Sequence, residues 1–178
     1  VLPDAEEEAN SRRIPIFKQS IIYHLIDDYL RWMSNEKEML LRSEFDRLIK
    51  PAKIKVLPGY VFRRAKPAIV GVEVLAGRIR PRVRLVTTDR KEVGEVLQIQ
   101  DKGESVSEAE TGKQVAVSID KPVVGRHFDE GDTLYVMVPE EHAKNLLAKF
   151  QDRLSPEELE ALNELVTMMR KEILFWAA

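Results

Sequence analysis

The chain has 178 residues, no cysteine, 44% hydrophobic and 33% charged residues, and a formal net charge of −2. One or two compact domains fit that length, with enough apolar material for a core that needs no covalent staples. Zero Cys excludes a disulfide framework, a thiolate zinc site and an iron–sulfur cluster, and no apolar run reaches the ~20 residues of a membrane-spanning helix.

The first residue is Val1, not Met, and the opening stretch is polar and acidic, unlike a signal peptide. We therefore expect a cytoplasmic, soluble fragment of a longer protein. Residues 1–17 read as an extended tail, because Ile14-Pro15-Ile16-Phe17 disfavours helix. From about Lys18 to Lys50 the apolar positions recur at three-and-four spacing: Ile22, Leu25, Ile26, Tyr29, Met33, then Leu40, Leu41, Phe45 and Leu48. This predicts an amphipathic helix over 18–50, stopped by Pro51, or two helices broken near Ser34-Asn35.

Residues 51–138 carry short β-branched runs at 68–74, 83–86, 93–99, 114–119 and 133–138, separated by Gly, Asp and Pro turn signals. Strands this close, with no helix between them, predict an antiparallel barrel or sandwich. In a strand, the period of two would place Arg78, Arg80, Arg82 and Arg84 on one face, with Pro81 marking an edge or a turn. Such a basic patch suits a phosphate backbone, or is simply a solvated face. Residues 51–91 hold 11 Lys/Arg against 2 Asp/Glu, whereas residues 92–178 hold 9 against 18. The fold either segregates these charges, giving a polyanion-binding end, or intermixes them.

Residues 139–178 return to helix. Pro139-Glu140-Glu141 opens one helix and the capping box Ser155-Pro156-Glu157-Glu158 opens a second. The pair reads as a hairpin that docks on the barrel or leaves a groove for a partner peptide. Lys144, Leu147, Lys149, Phe150, Leu162, Val166, Met169, Arg170 and Lys171 are the candidate groove residues.

Catalytic chemistry is not legible. His24, His127 and His142 lack a second ligand at metal spacing, and no nucleophile elbow or phosphate-cradling G-x-x-x-x-G-K-[ST] loop occurs. We expect no enzyme activity and no metal or cofactor in this chain.

Longer motifs carry a resemblance. The run Pro51-Ala52-Lys53-Ile54-Lys55-Val56-Leu57-Pro58-Gly59-Tyr60-Val61-Phe62-Arg63-Arg64 and the following 66–74 are similar to the last barrel domain of archaeal and eukaryotic translation initiation factor 5B, relatives of bacterial initiation factor two. Residues 94–103, Gly125-Arg126 and 130–136 agree, and 14–29 resemble the junction into that family's connecting helix. The ending Phe175-Trp176 fits the archaeal form best.

The resemblance implies a mainly β fold of mixed class. An elongation-factor-like antiparallel barrel would be preceded by a long helix and followed by two C-terminal helices. Residues 1–17 would be the tail of the preceding domain, 18–50 the connecting helix, 51–138 the barrel called domain IV, and 139–178 the helical hairpin. It implies that GTP and Mg belong to an upstream domain outside this chain. Expected partners are the methionylated acceptor end of initiator tRNA, the C-terminal tail of initiation factor 1A, and the ribosome, with the chain a monomer that meets no membrane. The methionyl site carries over onto Phe62, Arg63, Arg64, Gly71, Val72, Gln114, Val115, Ala116 and Val117. Val72 and Val115 stand where bacterial relatives have cysteines, and Gln114 replaces an acid. From the residues themselves, Val72, Val115 and Val117 suit either an aliphatic pocket or plain barrel core, and Tyr60 or Phe62 offers a stacking surface. The competing reading is a protein-interaction module without tRNA contact.

Overall fold

A computed structural model describes residues 3–19 and 21–177. The described chain divides into two units, one ending at Arg47 and one starting at Leu48.

The first unit holds two helices, α1 (Pro3–Ser11) and α2 (Ile22–Arg47). The helix at α1 corrects the expectation of an extended tail. Pro3 sits at the first helical position, where its missing N–H is no loss, and Asp4 and Glu6 face the positive end of the helix dipole. Extended chain is confined to the stretch around Ile14-Pro15-Ile16-Phe17. The expected helix over 18–50 is one continuous 26-residue helix, shorter at both ends, with no break at Ser34-Asn35. Polar residues there are compatible with an exposed helix face. Phe17 packs edge-on to Tyr29 and Trp32, with ring centroids 5.8 Å and 5.6 Å apart, and Gln19 Nε2 donates to Asp28 Oδ2 at 2.5 Å.

The second unit is built on eight strands: β1 (Ala52–Arg63), β2 (Ala68–Ile79), β3 (Arg84–Thr87), β4 (Glu92–Asp101), β5 (Glu104–Val106), β6 (Ala109–Glu110), β7 (Gln114–Ile119) and β8 (Thr133–Val136). The order β1-β8-β3-β4-β7-β2 closes through the β1–β2 pairing, giving a six-stranded antiparallel barrel. Strand β5 forms a hairpin with β4, and β6 adds to β2. Closure pairs the main-chain edges that an open sheet would expose. Period-two alternation sends Ile54, Val56, Val70, Val72, Ile99, Val117, Ile119 and Leu134 into one core, each essentially inaccessible to solvent.

Two helices follow, α3 (Glu140–Lys149) and α4 (Pro156–Arg170), joined by a 3₁₀ turn at Gln151–Arg153. The expected capping box is present: Ser155 Oγ accepts from the Glu158 N–H at 3.2 Å, and Glu158 Oε2 accepts from the Ser155 N–H at 3.0 Å. Helix α4 lies across β1 and β2, where Lys53 Nζ meets Glu164 at 2.8 Å. Gly77 permits this approach. A Cβ there would stand 2.3 Å from the Pro51 carbonyl oxygen and 3.2 Å from Glu158 Cγ, and its φ is +71°. The linking segment after α2 is fixed to the same unit, since His142 Nδ1 accepts from the Ile49 N–H at 3.0 Å.

Candidate functional site

Strand β1 does not run evenly along β2. Val56 pairs with Val72 and Val61 with Val70, so Leu57, Pro58, Gly59 and Tyr60 stand opposite Gly71 alone. The four-residue bulge lifts the chain off the barrel wall. Gly59 takes a φ of +79° at its tip, and its N–H donates to Glu130 Oε2 at 2.6 Å. Tyr60 then folds back over Gly71, where any Cβ would stand 2.7 Å from the Tyr60 Cβ.

A pocket of about 300 Å³ opens beside this bulge. Its lining comes from three places: Leu57, Tyr60 and Phe62 on β1, Gly71 with Gln114, Val115 and Ala116 on β2 and β7, and Gln100, Lys102 and Gly103 at the β4–β5 hairpin. The register explains the convergence. Gly71 pairs with Ala116, which pairs in turn with Gln100, so two of the smallest residues align across neighbouring strands. Tyr60 and Phe62 remain 55% and 65% exposed with ring centroids 6.5 Å apart. Two large aromatic rings left in solvent beside a cavity form an apolar surface that a planar group can stack on.

Of the nine positions expected at the methionyl site, Phe62, Gly71, Gln114, Val115 and Ala116 line this pocket. Val72 and Val117 do not. Both are wholly buried in the barrel core, which corrects the aliphatic-pocket reading for them. The pleat decides this, because Gly71 and Ala116 face outward and their neighbours face inward; Val115, 5% exposed, belongs to the same core and only borders the pocket. Arg63 and Arg64 are exposed at the end of β1, with Arg63 Nε donating to the Ala65 carbonyl at 3.1 Å. Gln100, Lys102 and Gly103 escaped the sequence reading. Residues 94–103 carry family resemblance and Lys102-Gly103 marks a turn, but what brings them to the pocket is the hairpin's register.

The basic patch is also corrected. Arg78 lies in β2 and Arg84 in β3, with a turn at Pro81-Arg82 between them, so the four arginines share no single strand. Glu108 lies 2.7 Å from Arg80 and 3.6 Å from Arg78, which also lies 3.5 Å from Glu110; Arg84 lies 3.8 Å from Glu92. Acids from the last half of the chain thus meet Arg78, Arg80 and Arg84, while Arg82 is exposed in the turn. The charges intermix, and the run is no open cationic strip.

The expected groove between the two C-terminal helices is replaced by one on the other side of α4. Phe150, Leu162 and Val166 are buried, while Leu147 and Met169 are half-buried. Arg170 is committed to its own chain, with Nε donating to the Trp176 carbonyl at 2.9 Å and Nη2 to the Ala177 carbonyl at 3.3 Å. Lys144 and Lys149 are exposed on α3. The open groove, of about 770 Å³, lies between α4 and the barrel, lined by Thr88, Tyr135, Leu159, Glu164, Met168 and Lys171 among others. At its base Tyr135 Oη donates to Glu164 Oε2, which Lys53 also approaches. Burial pushes the Glu164 carboxyl up, but hydrogen bonds from Lys53 and Tyr135 and the Lys53 charge outweigh it and hold the group below the ordinary carboxylate range. Burial and the same carboxylate push the Tyr135 hydroxyl up.

Residues 50–135 match the family Elongation factor Tu domain 4. A probable translation initiation factor IF-2 from Hyperthermus butylicus is 49% identical over 173 residues, 97% of this chain and 28% of the relative. The corresponding protein of Methanopyrus kandleri is 55% identical over 135 residues, 76% of this chain and 23% of the relative. The crystal structure of GDP-bound aIF5B from Aeropyrum pernix superposes with a TM-score of 0.73 at 45% identity, covering 99% of this chain and 30% of that one. The chain belongs to the archaeal initiation factor 5B family. It spans less than a third of the length of these factor 5B relatives. Their match covers the helices as well as the barrel, so the bulge, the pocket and the α4 groove all fall within the shared region. No helix among the described residues is long and apolar enough to cross a membrane.

Proposed function

We propose that this chain serves translation initiation by holding the methionylated acceptor end of initiator tRNA in the pocket beside the β1 bulge. The reading is carried by one observation: five positions expected from the family resemblance line a single cavity, next to two exposed aromatic rings. The methionyl side chain enters over Gly71 and Ala116. The terminal base stacks on Tyr60 or Phe62, a contact worth about 1–3 kcal/mol per base. Lys102, Arg63 and Arg64 offer cations to the terminal phosphates. The chain performs no bond chemistry and holds no metal or nucleotide of its own; GTP and Mg belong to the parent factor. It works as a monomer on the ribosome, in the cytoplasm.

The test compares methionyl-charged with uncharged initiator tRNA, using the wild-type chain and a Tyr60→Ala/Phe62→Ala variant. Charged tRNA should bind the wild type at least ten-fold more tightly, and the double substitution should remove most of that advantage. Equal, weak binding of both forms would overturn the reading in favour of a module that contacts only protein.

The groove between α4 and the barrel favours a second contact, the C-terminal tail of initiation factor 1A. Leu159 and Met168 supply apolar wall, and Lys171 supplies a cation for an acidic residue. A tail peptide should shift the NMR signals of Leu159, Met168 and Lys171. Shifts confined to Lys144 and Leu147 on α3 would place the contact elsewhere.

A further inference from the structure

One guanidinium in the second unit is left half-used. Arg90 lies in the turn between β3 and β4, and its Nη1 is shut off from solvent with no hydrogen-bond partner, alone in this among the described side chains. Its Nη2 lies 3.1 Å from Glu172 Oε1, just beyond α4. The turn holds Arg90 in place: the Thr87 N–H donates to the Lys91 carbonyl at 3.0 Å, the Arg90 N–H to the Thr87 carbonyl at 2.9 Å, and the Lys91 N–H to Thr87 Oγ1 at 3.1 Å. Arg90 takes a φ of +64°, a region where a long side chain is uncommon. A buried donor without an acceptor is costly, and native chains keep few of them. The two Nη groups of an arginine match both oxygens of one carboxylate. Glu172 leaves half of that fork unmet, and its side chain is 66% exposed. An ion pair so open to water contributes little and exchanges readily.

The α4 groove ends at this point. Thr88 and Lys171, which line it, stand two residues before Arg90 and one before Glu172. Glu160 and Glu164 line it roughly three and two turns earlier along the helix, and Glu164 is already met by Lys53 and Tyr135. The groove's acids and its cation therefore lie towards opposite ends, so an occupant with an acidic part and an apolar part is complemented in one direction only. From this, and resting on the groove reading above, we infer that Arg90 anchors a carboxylate of the peptide seated in the groove, and that Glu172 is the internal group which that carboxylate displaces. The acidic residue enters beside Lys171 and takes both Nη groups, and Glu172 swings out into water. Apolar residues of the peptide lie along Leu159 and Met168. A neutral peptide has nothing to offer in exchange for Glu172 and leaves the Nη1 donor unmet.

The experiment titrates the chain with a peptide from the C-terminal tail of initiation factor 1A, and with the same peptide after its acidic side chains are changed to amides. Binding is followed by NMR at Leu159, Met168 and the Arg90 guanidinium. Glu172→Gln should tighten the acidic peptide about 2–5-fold, the worth of an exposed ion pair, and leave the amide peptide unchanged. Arg90→Lys keeps the charge but loses the fork. It should weaken the acidic peptide about 5–10-fold, with unchanged binding of the amide peptide showing that the variant is folded. Adding Glu172→Gln to Arg90→Lys should then bring a gain of less than about two-fold, because the two side chains act through one contact. An equal gain in both backgrounds is the mark of long-range charge and would overturn the inference. So would a Glu172→Gln chain that melts earlier but binds the acidic peptide no better, which is how a purely structural clasp behaves. In both cases signals moving at Leu159 and Met168 leave the groove reading standing. If the peptides move neither signal, the groove reading fails and the anchor with it.

Discussion

The barrel and helix α2 are both rich in apolar residues, but they dispose of them differently. In the barrel every second side chain turns inward, and residues such as Ile54, Ile99 and Leu134 are lost to solvent entirely. Helix α2 buries none of its 26 residues; Tyr23, Ile26, Leu30, Met39 and Leu40 are about half-exposed or more. A closed sheet supplies the partner for its own apolar face, whereas a single helix does not, and in α2 the Phe17 ring meets Tyr29 and Trp32 but leaves those five side chains open. The lesson is that periodicity identifies a face to be covered. Whether the same chain covers it is a separate matter.

The largest test of that contrast removes matched apolar bulk from each region. Ile99→Ala should cost the barrel about 2–5 kcal/mol in urea unfolding, because a cavity is left in close-packed surroundings. Leu30→Ala on α2 should change unfolding by less than about 0.5 kcal/mol. Comparable losses at the two sites would erase the distinction. A second test concerns the barrel's outer wall. Gly71→Ala forces a Cβ to within 2.7 Å of Tyr60, which should cost about 1–3 kcal/mol and displace the bulge. Its thermal midpoint should fall together with affinity for charged tRNA.

A smaller effect is expected where α4 meets the barrel. The Glu164 carboxyl is held below its ordinary range in the folded chain. Its contribution is therefore complete above the unfolded carboxylate pKa and is lost as pH falls through the folded value. Glu164→Gln should cost about 1 kcal/mol near neutral pH and should flatten the fall in stability on acidification below pH 5. An unchanged acid limb in denaturation measured against pH would discount this ion pair. The smallest effect is expected at the arginines. Arg80 meets Glu108 at 2.7 Å, but its side chain is 50% exposed. Arg80→Ala should cost less than about 1 kcal/mol and change tRNA affinity by less than two-fold. A steep loss of tRNA binding on that substitution would restore the arginine run as a phosphate site.

Much of the fold was legible. The runs at 68–74 and 114–119 became β2 and β7, and Ser155-Pro156-Glu157-Glu158 opened α4 by the capping geometry its residue types dictate. Strand β1 was the least legible, because Leu57-Pro58-Gly59-Tyr60 breaks its alternation, and that break is what makes the pocket. Phe62, Gly71, Gln114 and Ala116 were traceable through family resemblance. Gln100 and Lys102 were not placed at the pocket by it, since they reach it only through the pairing of β4 with β7 and β5. The arginine run misled because period two was carried past Ile79, where β2 ends, into the turn at Pro81-Arg82.

By itself the sequence determined which stretches of 68–136 form strands, the capped start of α4 and the absence of a recognisable catalytic motif, because these follow from spacing and side-chain chemistry within a few residues. Only the tertiary structure decided which charges neutralise one another, which valines are core and where a cavity opens. Those outcomes depend on strand register, which brings together residues as distant as Arg80 and Glu108 or Gly71 and Ala116. A shift of one residue in that register would exchange the inner and outer faces.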